Sequence, residues 1–153
     1  MRLCLSRKKS MNTRPKSGDN ERRFVRLFES KAPEIHLLGK RRFWTGAVEI
    51  SVDQSFADEG IEYLVEIDSA NMAKLLVGQY VLLNQVRGRG TAAYFLVVHA
   101  YQNYNPMRTV HNLQLVNEQL YNGNGIPFGA IHLNALANWE GGIPGLIKLA
   151  CAI

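Results

Sequence analysis

The sequence predicts an all-β domain, a single small sandwich or barrel, preceded by a disordered basic N-terminal arm. From Pro33 onward, short runs rich in Val, Ile, Leu, Tyr and Phe are separated by Gly, Asn, Asp or Pro, which is typical of all-β proteins. Residues 1 to 23 contain hardly any large apolar side chain after Leu5, so they cannot bury enough surface to offset the entropy of ordering. The 153 residues, 46% of them hydrophobic, suffice for one domain with a core.

The chain divides into a basic, largely disordered arm at residues 1 to 33 and a β-rich domain at residues 34 to 153. Within the arm, Phe24 and Phe28 stand at i and i+4, so a helical turn or two is expected before Pro33. A jelly roll is the first expectation for the domain and an OB-like barrel the second. The predicted strands are residues 34–39, 43–52, 61–68, 79–86, 91–102, 109–116, 126–133 and 145–152.

Two short helices are predicted as connections between these strands. Ser69 is a suitable N-cap, residues 70–76 suit a helix, and Gly78 is placed to end it. Asn134 is expected to cap a turn that runs through Trp139.

The charge is strongly divided along the chain. Residues 1 to 42 hold 13 of the 18 Lys and Arg and four acids, a net +9, whereas residues 43 to 153 have five bases and nine acids, a net −4. A cationic segment gains most by releasing counterions from a polyanion, so nucleic acid, most simply single-stranded, is the expected partner and an anionic membrane the second. The predicted nucleic-acid-binding residues are Arg7, Lys8, Lys9, Arg14, Lys16, Arg22, Arg23, Arg26, Lys40, Arg41, Arg42, Arg87 and Arg89.

Residues 88 to 93, Gly-Arg-Gly-Thr-Ala-Ala, match the letters of a dinucleotide-binding fingerprint. The residues that follow are β-branched and aromatic rather than an amphipathic helix, and no acid about 20 residues later could hold a ribose. We interpret the stretch as a hairpin loop from which Arg87 and Arg89 could contact phosphate.

A second hypothesis places binding in the domain itself. Tyr94 and Tyr101 could stack on single-stranded bases, with Arg87, Arg89 and Arg108 supplying positive charge. Tyr is also common in strands and at subunit interfaces, and we favour this explanation because residues 43 to 153 are net acidic and only these three arginines lie near the tyrosines. A component of a ribonucleoprotein assembly is a third possibility that shares the basic arm.

Nothing in the sequence indicates an enzyme, a metal site or a cofactor. The four histidines are scattered singly at positions 36, 99, 111 and 132, without Cys or acid at metal-ligand spacing, and no Ser or Cys lies in an activating motif. Cys4 and Cys151 are expected to be reduced. The three-residue apolar stretch from Leu3 is too short for a secretory signal, and no run reaches the length of a membrane span.

A basic arm attached to short strands resembles the coat proteins of very small icosahedral viruses, especially plant satellite viruses. The resemblance depends on the basic clusters at residues 7–9, 14–16, 22–23 and 40–42 and on the predicted strands. It implies a jelly-roll capsid protein that self-assembles into homo-oligomers, binds the genome through its arm, and lies in the virion or in the cytoplasm or nucleus of a host. Whether translation starts at Met1 or Met11 stays open, and the arm is basic in either case.

Overall fold

The computed structural model describes residue 16, residues 18 to 88 and residues 90 to 151, and for residue 151 the backbone alone. Its elements in chain order are α1 (Asp19–Lys31), β1 (Arg41–Thr45), β2 (Val48–Val52), β3 (Gln54–Asp58), β4 (Ile61–Asp68), α2 (Ala73–Arg87), β5 (Ala93–His99), α3 (Met107–Tyr121), β6 (Phe128–His132), a 3₁₀ helix (Leu133–Asn138) and α4 (Ile143–Cys151).

The fold is α/β, and the prediction of an all-β sandwich or barrel is wrong. A four-stranded mixed sheet has the order β3-β4-β5-β6, with β3 antiparallel to β4 and the other neighbours parallel. Strands β1 and β2 form a separate antiparallel hairpin. Parallel neighbours need crossover connections, and α2 and α3 provide them.

Helices α1 and α4 cover one face of the four-stranded sheet. Phe24 and Phe28 of α1 are fully buried beside Leu146 of α4 and the side chains of β4 and β5 that point to this face. The spacing of the two phenylalanines at i and i+4 therefore identifies the buried stripe of α1. Trp139, 1% exposed, extends the same core, and its indole N–H donates to the Gly142 carbonyl at 2.8 Å.

Helices α2 and α3 and the hairpin cover the opposite face. Leu76, Tyr80 and Leu83 of α2 pack with Phe95 of β5, and the buried Phe43 brings the hairpin into this core. The sheet is thus buried on both faces, which explains why β5 is an unbroken run of buried residues.

Three of the predicted strands are helices, and one strand was missed. Residues 79–86 lie in α2, residues 109–116 in α3 and residues 145–152 largely in α4. Residues 34–39 are irregular chain, residues 43–52 are split by the turn at Gly46, and β3 at residues 54–58 had not been predicted. The predictions at residues 61–68, 91–102 and 126–133 contain β4, β5 and β6.

The predicted helices are longer or shifted. The helix expected to end at Gly78 begins at Ala73 and continues to Arg87, and its N-cap is Met72 rather than Ser69. The turn predicted from Asn134 is the 3₁₀ helix, but its N-cap is His132 rather than Asn134. Residues 19 to 23, expected to be disordered, form the start of α1. The prediction for residues 1 to 15 lies outside the described residues.

The α/β architecture also removes the fold on which the resemblance to viral coat proteins depended. No jelly roll or closed barrel is present in the described part of the chain, so the expectation of a jelly-roll or β-barrel fold is wrong. No helix among the described residues is long and apolar enough to cross a membrane.

Candidate functional site

The carboxyl ends of the three parallel strands lie side by side. Asp68 at the end of β4 pairs in register with His99 at the end of β5, and His99 pairs with His132 at the end of β6. We call these ends and the segments that follow them, residues 69–72, 100–106 and 133–138, the carboxyl edge. In open α/β sheets ligands bind outside this edge of the strands.

A buried chain of hydrogen bonds underlies the carboxyl edge. Asp68 Oδ2 lies 3.1 Å from His99 Nδ1, and His99 Nε2 lies 2.8 Å from the Thr109 hydroxyl. The Thr109 hydroxyl lies 3.0 Å from the Tyr104 hydroxyl, and the Tyr104 ring stacks on the His99 imidazole with centroids 4.0 Å apart. When the imidazole is neutral, Tyr104 donates to Thr109, Thr109 to His99, and His99 to Asp68, so every group is satisfied.

The order of acid, imidazole and hydroxyl in this chain also occurs in hydrolase triads. Here His99 is fully buried and Thr109 is 1% exposed, and the Thr109 hydroxyl is engaged by Tyr104. A catalytic nucleophile must be reached by a substrate carbonyl with donors around its oxygen, and a hydroxyl buried to this degree is not reachable. The arrangement fixes the start of α3 against the end of β5.

His132 anchors the loop that follows β5. Its Nε2–H donates to the Tyr101 carbonyl at 2.9 Å, and its Nδ1 accepts from the Asn134 backbone N–H at 3.1 Å, which defines the tautomer. The Tyr101 side chain is 45% exposed. The loop is therefore held at Tyr101 by a backbone contact, while the side chains of residues 101 to 103 are exposed.

A shallow recess of about 520 Å³ lies beside this loop. It is lined by Gln102, Asn103, His132, Asn134, Ala135 and Asn138. The side chains of Gln102, Asn103 and Asn138 are exposed and make no hydrogen bond to another described residue. Asn103 has a left-handed backbone with φ 59°, a conformation that Asn tolerates better than most residues.

The start of α1, where the basic arm enters the described structure, rests on the carboxyl edge. The Asn20 amide donates to the Ser69 hydroxyl at 3.0 Å, and the Arg23 guanidinium donates to Asn134 Oδ1 at 2.6 Å. Arg26 is exposed on the next turn, whereas Arg22 pairs with Asp19. The hydrogen bond from Arg22 lowers the pKa of the Asp19 carboxyl, and a second hydrogen bond from the backbone N–H of Lys16 lowers it further.

Arg108 adds a further cation at the carboxyl edge. Its guanidinium lies 5.4 Å from the centroid of the Tyr104 ring and donates to Asn71 Oδ1 at 3.3 Å. The side chain is exposed and has no carboxylate partner in the described part of the chain. Arg108 and Arg23 thus place two guanidinium groups on the edge that carries the recess.

The hairpin carries a second group of the predicted basic residues on the other face of the sheet. Arg41 pairs with Glu62 at 2.7 Å and packs over the Phe43 ring, and Arg42 lies 3.6 Å from Glu49. Lys40 is exposed just before β1. The predicted binding residues Arg41 and Arg42 are therefore separated in space from those of α1, because the hairpin and α1 lie on opposite faces of the sheet.

A larger cleft of about 790 Å³ opens at the opposite edge of the sheet, among the glycines that follow α2 and the loop after α3. Arg87 lies there with a side chain only 7% exposed, bonded to Glu62 at 3.2 Å and to the Thr91 carbonyl at 2.6 Å. The C-terminal ends of α2 and α3 bring partial negative charge to the same place. In spite of its size, this cleft suits an anion less well than the carboxyl edge.

Glu66 of β4 is the described residue with the most perturbed carboxyl group. Burial, together with the nearby charge of Asp53, raises the pKa of Glu66 to about 7, and a hydrogen bond from Gln79 opposes part of this rise. Its Oε2 atom is buried without a partner. No group of three or more His, Cys, Asp or Glu side chains in the described ranges could hold a metal ion.

The residues that the sequence predicted to be functional lie at different places in the structure. Tyr101 and Arg108 of the single-strand hypothesis lie at the carboxyl edge, whereas Tyr94 is 9% exposed in the core and Arg87 is paired at the opposite edge. Arg7, Lys8, Lys9, Arg14 and Arg89 lie outside the described residues. Gln102, Asn134 and Asn138 were not predicted as binding residues, because the recess is built from two separate segments that only the sheet topology brings together.

Comparisons with known proteins show neither a family nor a function. No protein-family model and no curated protein matches the chain. One solved crystal structure, described as a protein of unknown function, AF1548, is similar with 13% identity and a TM-score of 0.40. The match covers 84% of this chain, which spans 64% of the length of that structure.

Proposed function

We propose that this protein is a non-enzymatic nucleic-acid-binding protein that holds a single strand through its basic arm, the exposed cations of α1 and the carboxyl edge. The supporting observation is that Asn20 and Arg23 fasten the start of α1 to this edge. A strand bound by the arm would therefore continue onto Arg108 and the polar loops. Self-association stays a prediction that sedimentation velocity can test.

The charge distribution sets the expected strength of the salt dependence. If the nine net charges of residues 1 to 42 met single-stranded phosphates, the slope of log K against log salt would be roughly −6. The pairs of Arg41 with Glu62 and of Arg22 with Asp19 compete with phosphate, so a smaller magnitude is expected.

Two matched single variants test where the binding charge resides. Lys8→Gln removes one charge from the arm, and Lys148→Gln removes one from α4, outside the predicted binding residues. In fluorescence anisotropy with a labelled 20-nucleotide strand, the arm variant should reduce the magnitude of the salt slope by about 0.7. The control variant should leave the slope unchanged. A wild-type protein that does not bind the strand at low salt would refute the proposed function.

A further inference from the structure

The recess combines groups that recognise the edge of a nucleobase. The amides of Gln102, Asn103 and Asn138 each offer a carbonyl acceptor and an NH₂ donor, and none of the three is used by another described residue. Tyr101 stands directly before Gln102 with its side chain 45% exposed. The recess therefore has free donors and free acceptors, and an exposed aromatic residue comes directly before one of its lining residues in the chain.

We propose that an unpaired base of the bound strand occupies this recess, stacked on Tyr101 and hydrogen-bonded by the amides of Gln102, Asn103 and Asn138. This inference rests on the proposed function and specifies which part of the ligand the protein recognises. The base must be unpaired, because its pairing edge has to face the amides.

The chemistry of the recess favours a base over a phosphate. A phosphate offers acceptors alone, and so it would use the NH₂ groups and leave the amide carbonyls facing its negative charge. A base edge presents both donors and acceptors, and Asn and Gln side chains match such edges. Cations suitable for the flanking phosphates are placed outside the recess, at Arg23 and Arg108.

The loop is positioned for this role by contacts that do not involve the recognising groups. The backbone carbonyl of Tyr101 is held by His132, and the buried Tyr104 and Thr109 hold the other end of the loop. Stacking and amide contacts can thus form with little loss of backbone entropy.

The exposed Trp44 of β1 provides a matched comparison. Its side chain is 62% exposed, but its partner across the hairpin is Glu49, and the hairpin lies away from α1. An exposed aromatic ring alone would stack on bases at either place. Base recognition at the recess predicts that Tyr101 matters and Trp44 does not.

The experiment measures binding of two labelled strands of equal length to the full chain by fluorescence anisotropy, one with bases and one abasic. The variants are Tyr101→Ala, the combined recess variant Gln102→Ala, Asn103→Gly and Asn138→Ala, and the control Trp44→Ala. Glycine at position 103 keeps the left-handed backbone, which alanine would strain. Circular dichroism verifies that each variant is folded.

Wild type should bind the base-bearing strand more tightly than the abasic one. Tyr101→Ala and the recess variant should each weaken binding of the base-bearing strand about 10-fold and leave abasic binding and the salt slope unchanged. Equal losses on both strands, no loss, or a loss caused by Trp44→Ala instead would overturn the inference. Wild type that binds both strands equally would refute the recess alone, whereas wild type that binds neither would refute the proposed function.

Discussion

His99 Nε2 at the end of β5 lies 2.8 Å from the hydroxyl of Thr109 on the first turn of α3. Both residues are almost completely buried, and the same hydroxyl also contacts Tyr104. One hydroxyl group therefore satisfies two other buried polar groups, and its loss leaves both without a partner.

Thr109→Val should lower the free energy of unfolding by about 2 to 4 kcal/mol, because it removes this hydroxyl and keeps the side-chain shape. Urea unfolding followed by circular dichroism measures the change. Thr109→Ser retains the hydroxyl and loses a methyl group, so it should cost about 1 kcal/mol. If the two substitutions destabilise the protein equally, the hydrogen-bond chain does not determine the stability here.

Glu66 should make the protein less stable as pH rises from about 4.5 to about 7. Burial raises the pKa of Glu66 in the folded state to about 7, above its ordinary 4.5, so across this window the folded protein keeps a proton that the unfolded chain has lost. Stability falls where the folded state binds more protons, and a shift of this size corresponds to at most about 3 kcal/mol above pH 7.

Unfolding by urea at pH 5 and pH 8 measures this loss. Glu66→Gln cannot ionise and should show a much smaller difference between the two pH values than wild type. Glu140→Gln, at an exposed position, is the control and should behave like wild type. The same pH difference in wild type and Glu66→Gln would contradict the assignment to Glu66.

Gly129 of β6 is required by the packing of α4 and β5. A Cβ atom at this position would collide with the Tyr94 hydroxyl and lie 3.0 Å from the Cβ of Ala150. Gly129→Ala should therefore destabilise the protein by about 1 to 3 kcal/mol through overpacking. In a double-mutant cycle, Tyr94→Phe should recover part of that loss, and additive effects of the two substitutions would contradict the collision.

The central strands could be predicted from the sequence, but the helices on the second face could not. Strand β5 is a continuous run of buried residues and β4 is buried over most of its length, which the apolar composition indicates directly. Helix α2 was interpreted as a strand because residues 80–83, Tyr-Val-Leu-Leu, favour β-structure, and because it exposes Leu75 and Leu82 in addition to its buried side. Propensity over four residues does not distinguish a buried helix from a strand.

Helix α4 shows the period that the prediction overlooked. Leu146 and Ala150 are buried at i and i+4, whereas Lys148 between them is exposed. The same spacing relates Thr109 and Leu113 of α3.

At the candidate site, Tyr101 and Arg108 could be selected from composition. The amides of Gln102 and Asn138 could not, since they are 36 positions apart and meet only because β5 and β6 are adjacent.

Glu62 pairs with two arginines of different burial, and the two ion pairs should contribute very differently to the stability of the protein. Arg87 has a side chain 7% exposed with its Nε already buried without a partner, whereas the Arg41 side chain is 47% exposed. Glu62→Gln leaves the charge of Arg87 uncompensated and should cost about 3 kcal/mol, while Arg41→Gln should cost less than about 1 kcal/mol. Urea unfolding of both variants measures the difference. Similar costs for the two substitutions would show that the burial of Arg87 does not govern the energy of this ion-pair network.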